Sequence, residues 1–247
     1  MKATLVRVGV DQAFGGWNAP VDPDTNEFVY VPIPDDVPFQ PGLATPYDDL
    51  VRAVQGLAGG SIALPPKLRG RNMHLDPDFS HLTYGDNGER RGRGIAGFEA
   101  GDLVVFFAGL RPIRPCAHRL LYAIIGLYRV AETARLGDVL AARWHENAHT
   151  RRLNHRASDV IVRADPQRSG RLRRCIPIGE WRDRAYRVRH DLLEQWGGLS
   201  CRDGFIQRSA VPPMIGDPLR FLQWFEGQRP ELLAANNPEM REDGNGS

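Results

Sequence analysis

The sequence contains few cysteines, almost no lysine and no long apolar run. The scarcity of cysteine and the lack of a long apolar run each argue against particular classes of protein. No apolar segment reaches the roughly 20 residues that a membrane-spanning helix needs. The N-terminus lacks the basic, apolar and small-residue order of a secretory signal peptide, so we expect a cytoplasmic protein. Cys116, Cys175 and Cys201 are odd in number and far apart, which argues against a disulfide framework and a thiolate zinc site.

Charge is nearly balanced over the chain but unevenly distributed along it. The net charge of +2 over 247 residues is no signature of a nucleic-acid-binding protein. Between residues 143 and 191, however, 13 arginines stand against six acidic residues, a local excess of seven positive charges. Because Lys2 and Lys67 are the only lysines, the use of arginine instead of lysine carries little functional information by itself.

Apolar residues make up 42% of the chain, which is enough for a sizeable core and indicates a globular fold. β-Branched and aromatic runs predict strands that begin at Ala3, Phe28, Gly101 and Leu120. Helical spacing of apolar residues predicts helices over 137–152, over 181–196 and from Asp217-Pro218 onward.

The order of these elements indicates the α+β class. Strands are predicted mainly in the N-terminal half and helices mainly in the C-terminal half, which favours a mixed or antiparallel sheet over a doubly wound one. We expect a single domain over residues 1–235 and a disordered tail over residues 236–247, where polar residues, glycine and proline predominate.

The segment WHENAHTRRLNH, residues 144–155, contains the H-E-x-x-H pattern of zinc hydrolases. Two histidines one helical turn apart can bind one ion, and Glu146 can serve as the base for a bound water. In the longer form of this motif a glycine turns the chain towards a third histidine, but this sequence has Arg152 at that position. Two interpretations stay open: a zinc hydrolase that uses His145 and His149, and a polar helix face whose histidines only form hydrogen bonds.

A polar segment over residues 71–94 is long for a connection without secondary structure, and such loops are often functional. It carries His74, Asp76, Asp78, Tyr84 and Asp86. These side chains could be general acid–base groups or ligands for a hard cation. The alternative is structural, because Asp-Pro and Asp-Asn-Gly are turn sequences in which aspartates cap their own backbone.

Seven blocks of the sequence carry a resemblance to a known family. They are residues 5–36 (LVRVGVDQAFGGWNAPVDPDTNEFVYVPIPDD), 74–86 (HLDPDFSHLTYGD), 101–110 (GDLVVFFAGL), 121–130 (LYAIIGLYRV), 146–152 (ENAHTRR), 158–172 (SDVIVRADPQRSGRL) and 203–212 (DGFIQRSAVP). Together they resemble the third type of nucleotide modification associated domain, over about residues 4–227. The resemblance implies a place in phage and bacterial systems that modify DNA bases, without choosing between an enzyme and a binding protein.

The two apolar strands are in addition similar to the small barrels of the PUA and EVE type, which bind RNA or modified bases. A barrel of that type is therefore one form that the sheet could take. No cofactor is identified from the sequence, and no metal ligands are assigned.

The resulting hypothesis is a protein that recognises or acts on DNA or a nucleotide, alongside other proteins of a DNA-modification system. The loop from His74 to Asp86 is expected to form a polar pocket beside His149, and an arginine-rich face over residues 151–189 is expected to contact phosphate. The polar blocks of the family match Asp11, Asn18, His74, Asp76, Asp78, Tyr84, Asp86, Asn147, His149 and Arg152. Catalytic candidates are His74, Asp76, Asp78, Tyr84, Asp86 and His149. Nucleic-acid contacts are expected from Asp11, Asn18, Asn147, Arg151, Arg152, Arg171, Arg173 and Arg174. The zinc hydrolase is the alternative function.

Overall fold

The computed structural model describes residues 1–87, 92–208 and 211–238. The strands are β1 (Ala3–Arg7), β2 (Pro20–Val21), β3 (Ile33–Asp35), β4 (Asn72–His74), β5 (Thr83–Asp86), β6 (Leu103–Pro112), β7 (Leu121–Arg135), β8 (Val160–Ala164), β9 (Gly170–Pro177), β10 (Gly179–Arg182), β11 (Ala185–Val188) and β12 (Leu232–Leu233). The α-helices are α1 (Val51–Ala58), α2 (Gly92–Ile95), α3 (Ala148–Arg151), α4 (His190–Gln195) and α5 (Pro218–Gly227). Short 3-10 helices lie between them, including Ala141–Glu146.

The antiparallel pair of β6 and β7 forms the centre of the main sheet, and both strands were predicted from their apolar runs. All residues of 103–110 are buried, as expected for a continuous apolar strand covered on both faces. β1 and β2 pair with β6 in the parallel sense, whereas β8 and β9 pair with different halves of the long strand β7. β5 extends the sheet from β8, and β12 extends it from β9.

The α+β class with a mixed sheet is confirmed, since parallel and antiparallel pairs occur in the same sheet. Among residues 1–87, 92–208 and 211–238, no strand pairing closes this sheet into the barrel considered from the sequence. Strands also continue further into the second half than predicted, because β8 to β12 all follow residue 159. No helix in the described part of the chain is long and apolar enough to cross a membrane.

The prediction of one helix over 137–152 is wrong. The segment consists of two 3-10 helices followed by α3, which is a single turn. Between them Asn147 is extended, with φ −147° and ψ 151°, and its side chain accepts a hydrogen bond from the backbone of His149. An N-cap residue has this non-helical conformation, so Asn147 ends one element and begins the next.

The helix predicted over 181–196 is a hairpin followed by a short helix. β10 and β11 pair through a two-residue turn at Asp183 and Arg184, whose φ angles are 50° and 61°. Such turns normally contain asparagine or glycine, so this sequence gives no hairpin signal. The helix predicted from Asp217-Pro218 is confirmed as α5, with the Asp217 carboxylate accepting from the backbone of Leu219 and Arg220.

Of the tail predicted over 236–247, residues 239–247 lie outside the described residues. Asn236 and Asn237 are held by hydrogen bonds to Phe79 and Tyr30, respectively. The boundary at residue 235 stays a prediction.

Candidate functional site: a histidine–aspartate centre

Three of the six predicted catalytic residues converge on one point, which we call the histidine–aspartate centre: His74, Asp76 and His149. His74 ends β4, Asp76 lies in the turn that follows, and His149 lies in α3. The Asp76 Oδ2 atom is 3.9 Å from His74 Nε2 and 3.8 Å from His149 Nε2. One atom from each side chain lies within 4.8 Å of the other two.

Each imidazole is oriented by a second carboxylate on its other nitrogen. His74 Nδ1 is 2.9 Å from Asp35 Oδ2, and His149 Nδ1 is 2.6 Å from Asp159 Oδ2. With Nδ1 donating to a carboxylate, Nε2 is the free acceptor, and in both rings it faces Asp76. A carboxylate on the outer nitrogen is the arrangement that fixes metal-bound histidines in proteins.

The other oxygen of Asp76 is held by the protein. Oδ1 accepts from the backbone amide of Gly85 at 2.8 Å and from Asn147 Nδ2 at 3.0 Å. Oδ2 is thereby directed towards the histidines. Asn147 thus has two tasks, because it also caps α3 and so sets the position of His149.

Gly85 lies in the central part of β5, where the strand approaches the centre too closely for a side chain. A Cβ atom there would lie 2.7 Å from Asn147 Oδ1 and 2.7 Å from His149 Cδ2. Contacts that short would force a neighbour to move, so glycine is needed for close packing at this position.

Burial dominates the electrostatics of the centre. It raises the pKa of Asp76 to about 7, against the opposing effects of His149, the Gly85 amide and Asn147. Burial likewise lowers the pKa of His74 to about 4, against the hydrogen bond with Asp35. Burial also acts to raise the pKa of Asp35, but His74 and Arg152 outweigh it and lower that pKa to about 2.

Two imidazole nitrogens and one carboxylate oxygen can hold a divalent transition metal. Metal–ligand bonds of about 2.0–2.2 Å put neighbouring ligand atoms roughly 3–3.5 Å apart, so only small movements would complete the geometry. Three protein ligands leave positions open for water or substrate, which is typical of catalytic sites. The sequence suggested that His149 lies beside the loop of His74 and Asp76, but spacing did not identify the three as one ligand set, because His149 is far from the other two in the chain.

The other three predicted catalytic residues are not part of this group. Asp78 is fully buried and forms an ion pair with Arg151 and a hydrogen bond with Asn236. Tyr84 donates to Asp86 Oδ2 at 3.1 Å. The charge of Asp86 contributes to the raised pKa of Asp76, so this pair is near the centre without belonging to it.

Several residues predicted to contact nucleic acid have structural roles. Asp11 caps its own turn through the backbone of Ala13 and Phe14, and Asn18 donates to the carbonyl of Gly109. Asn147 is fully buried, within the support of the histidine–aspartate centre.

The predicted arginines do not form one face. Arg151 is buried against Asp78, and Arg171 is buried over the ring of Phe28. Arg152 is partly exposed and pairs with Asp35 at 2.9 Å. Arg173 and Arg174 reach the surface on β9, where they line a cavity of about 800 Å³ with Arg171. Arg171 and Arg173 are two residues apart on β9, yet Arg171 is buried and Arg173 is partly exposed, so sequence spacing does not show which arginines reach solvent.

The geometry does not support the zinc-hydrolase alternative. His145 and His149 are separated by the extended Asn147, so they do not lie one turn apart on one helix. Glu146 is buried between Arg143 and Arg163, with 2.8 Å and 2.5 Å ion pairs, and is not directed at a shared ion site. His145 contacts the ring of His81 instead.

Sequence reasoning missed Asp35, Asp159 and Gly85. Both aspartates lie within the blocks that carry the family resemblance, at positions that also suit a strand end or a turn. A histidine and an aspartate from distant blocks pair only through the fold, so spacing gives no signal for them.

The fold and the centre together define an α+β protein in which two histidines and one carboxylate converge. The chain belongs to the family of nucleotide modification associated domain 3, whose model matches residues 2–197. No curated protein and no solved structure matches it significantly. Membership gives the chain a role associated with nucleotide modification.

Proposed function

We propose that this protein binds a divalent transition metal through His74, Asp76 and His149 and acts there on the base of a nucleotide. The observation that carries the proposal is the convergence of three ligand atoms whose side chains are each fixed by a further partner. Family membership supports a nucleotide or DNA as the partner, within a base-modification system. Imidazole and carboxylate together suit zinc and iron, among other metals.

The side chains around the proposed metal site would orient the two imidazoles and provide a positive charge for the substrate. A metal in this position would polarise a substrate oxygen or lower the pKa of a bound water. Asp35 and Asp159 hold the imidazoles in the tautomer that leaves Nε2 free. Arg152 lies beside Asp35 with part of its side chain exposed, so it can contact a substrate phosphate next to the centre.

The burial of the centre limits the form of the substrate. The side chains of His74 and His149 are only 12% and 8% exposed. A base stacked in a duplex cannot reach atoms at that depth. The substrate is therefore a free nucleotide, a single strand or a base flipped out of its helix.

Metal analysis of the purified protein tests the first half of the proposal. We expect about one zinc or iron per chain, and loss of that metal in His149→Ala and Asp76→Asn. His118→Ala, at an exposed histidine of the β6–β7 loop, is the matched control. His145→Ala should also keep the metal, and its loss there would favour the zinc-hydrolase alternative. A metal content that His149→Ala leaves unchanged would contradict the proposal.

Cobalt substitution tests the second half, because the visible spectrum of Co²⁺ reports changes in its ligands. Addition of nucleoside monophosphates or single-stranded DNA should change the spectrum of the cobalt protein. A spectrum that no nucleotide or DNA alters would exclude the centre as the site of action.

The supporting carboxylates give a finer test. Asp159→Asn keeps the size of the side chain but removes the charge behind His149. We expect metal affinity to fall by about 10- to 100-fold, as for other carboxylates that support metal-bound histidines. Competitive titration against a chelating dye measures the change. Asp191→Asn, at an exposed aspartate paired with Arg189, should leave the affinity unchanged.

A further inference from the structure

A second feature of the molecule is a cavity of about 800 Å³, which we call the arginine cavity. One wall is β9 with Arg171, Arg173 and Arg174, and another is residues 26–29. A third comes from residues 228–238, here called the C-terminal segment. This segment lies beyond the part of the chain that the family model matches.

Arg171 is the unusual member of this lining. It is 98% buried, and no carboxylate forms an ion pair with it among the described residues. Its guanidinium lies 3.9 Å from the centre of the Phe28 ring and donates to the carbonyls of Phe28 and Leu172. Its Nε has no hydrogen-bond partner within residues 1–87, 92–208 and 211–238.

A buried cation that forms no ion pair is costly. Consistent with this, burial lowers the pKa of Arg171 to about 10, against the opposing effects of Cys175 and Glu27. Two backbone carbonyls satisfy part of its hydrogen-bonding capacity but do not balance its charge. An anion in the cavity would reduce this cost.

Positive charges also outnumber negative charges among the other residues that line the cavity. Arg173 pairs with Glu231 at 2.7 Å, whereas Arg174 and Arg229 are exposed and have no ion pair in the described part of the chain. Glu27 is the other acidic residue of the lining. Four arginines thus stand against two glutamates around one cavity.

We propose that the arginine cavity binds the phosphate groups of the nucleotide or polynucleotide, with Arg173 and Arg174 as direct contacts and Arg171 as the buried charge behind them. This inference rests on the proposed function for its choice of ligand, since the cavity itself specifies only a phosphate-sized anion. Guanidinium groups suit phosphate through paired hydrogen bonds.

The C-terminal segment connects this cavity to the histidine–aspartate centre. Asn237 lines the cavity and bonds to the backbone of Tyr30, while the neighbouring Asn236 bonds to Asp78 and to the backbone of Phe79. Asp78 is two residues from the ligand Asp76. One wall of the cavity is therefore attached to the loop that carries a residue of the centre.

Anisotropy of a short fluorescein-labelled single-stranded oligonucleotide tests the inference. Arg174→Gln should weaken binding by about tenfold, the loss expected for one charge-assisted phosphate contact. It should also reduce the slope of log affinity against log salt by about one. Arg173→Gln should act in the same direction. Arg119→Gln, an exposed arginine outside the lining, is the control with the same charge change.

A competition arm identifies the source of the phosphate. Displacement of the oligonucleotide by thymidine monophosphate would show a site for free nucleotides, and no displacement would show a site for the polynucleotide backbone. The inference is overturned if neither ligand binds, or if Arg119→Gln weakens binding as much as Arg174→Gln.

The two proposals can fail separately. His149→Ala should lose the metal and keep oligonucleotide binding, while Arg174→Gln should keep the metal. Arginine-dependent binding in a protein that takes up no metal would overturn only the proposed function. Metal uptake with no arginine-dependent binding would overturn only the inference about the cavity.

Discussion

At the residue scale, the folded protein without metal disfavours the ionised form of Asp76. Its carboxylate is buried, and Nε2 of His74 and Nε2 of His149 lie 3.9 Å and 3.8 Å from its Oδ2 atom. The raised pKa of about 7 expresses that cost. A divalent metal bound at the proposed site would balance the charge of Asp76 in place of a proton, so the burial that disfavours the free carboxylate would favour metal binding.

The pH dependence of stability tests this account of Asp76. Between its ordinary pKa of 3.8 and about 7, the folded state keeps a proton that the unfolded state has lost. Its contribution to stability is therefore complete below about pH 4 and is lost as the pH rises to about 7. We expect metal-free Asp76→Asn to gain stability relative to the metal-free wild type over that range, by an amount on the order of a few kcal/mol.

Denaturant unfolding of both proteins in the presence of a chelator measures the difference. Above pH 7, added metal should stabilise the wild type and not the variant. A difference that stays constant from pH 4 to pH 8 would show that Asp76 ionises normally.

The residue scale also shows what the sequence can reveal. His74, Asp76 and His149 were all catalytic candidates, because polar residues in long loops and in an H-E-x-x-H segment are often functional. Asp78 was an equal candidate, yet it caps a turn through the backbone of Ser80 and His81 and neutralises Arg151. A ligand and a turn-capping aspartate have the same local sequence, and only tertiary contacts distinguish them.

At the element scale, the centre depends on short and irregular pieces held by long strands. β7 supports β8, and β8 supports β5, which donates to Asp76 through Gly85. The long strands were predictable from their apolar runs. The single-turn helix α3 was not, because apolar spacing over 137–152 matches a helix and the break at Asn147 comes from a side-chain cap.

Gly85→Ala tests how closely β5 must approach the centre. The new methyl group would lie 2.7 Å from atoms of Asn147 and His149. We expect a loss of stability of about 1–3 kcal/mol, as for other overpacked sites, together with weaker metal binding. Thermal unfolding and metal titration measure the two effects. Gly227→Ala meets no atom within 4 Å and should change neither, and an unaltered Gly85→Ala would show that the strand can yield.

At the scale of the whole molecule, the folded unit extends beyond the family match. Residues 213–215 bond to the backbone of β1, and β12 pairs with β9. Phe221 and Phe225 of α5 are buried, with Phe221 in edge contact with Trp196 at 5.1 Å. Residues after 197 therefore complete the core.

We expect a chain that ends at residue 197 to lose cooperative unfolding, because it would expose the core around Trp196 and remove the contacts of β1 with residues 213–215 and of β9 with β12. A chain that ends at residue 238 keeps every described contact and should unfold like the full protein. Calorimetry and near-ultraviolet circular dichroism distinguish the two. Cooperative unfolding of the shorter chain would show that the single domain predicted over 1–235 has a smaller folding unit within it.

The ion pair between Arg152 and Asp35 has a consequence for how a substrate would arrive. With a divalent metal and neutral imidazoles, the proposed centre would balance the charges of Asp35, Asp76 and Asp159 with those of Arg152 and the ion, while Asp86 adds one negative charge nearby. In the proposed metal-bound state these groups together would exert little long-range attraction on a phosphate. Under the two proposals, the arginine cavity would attract the phosphate and the histidine–aspartate centre would select the substrate at short range.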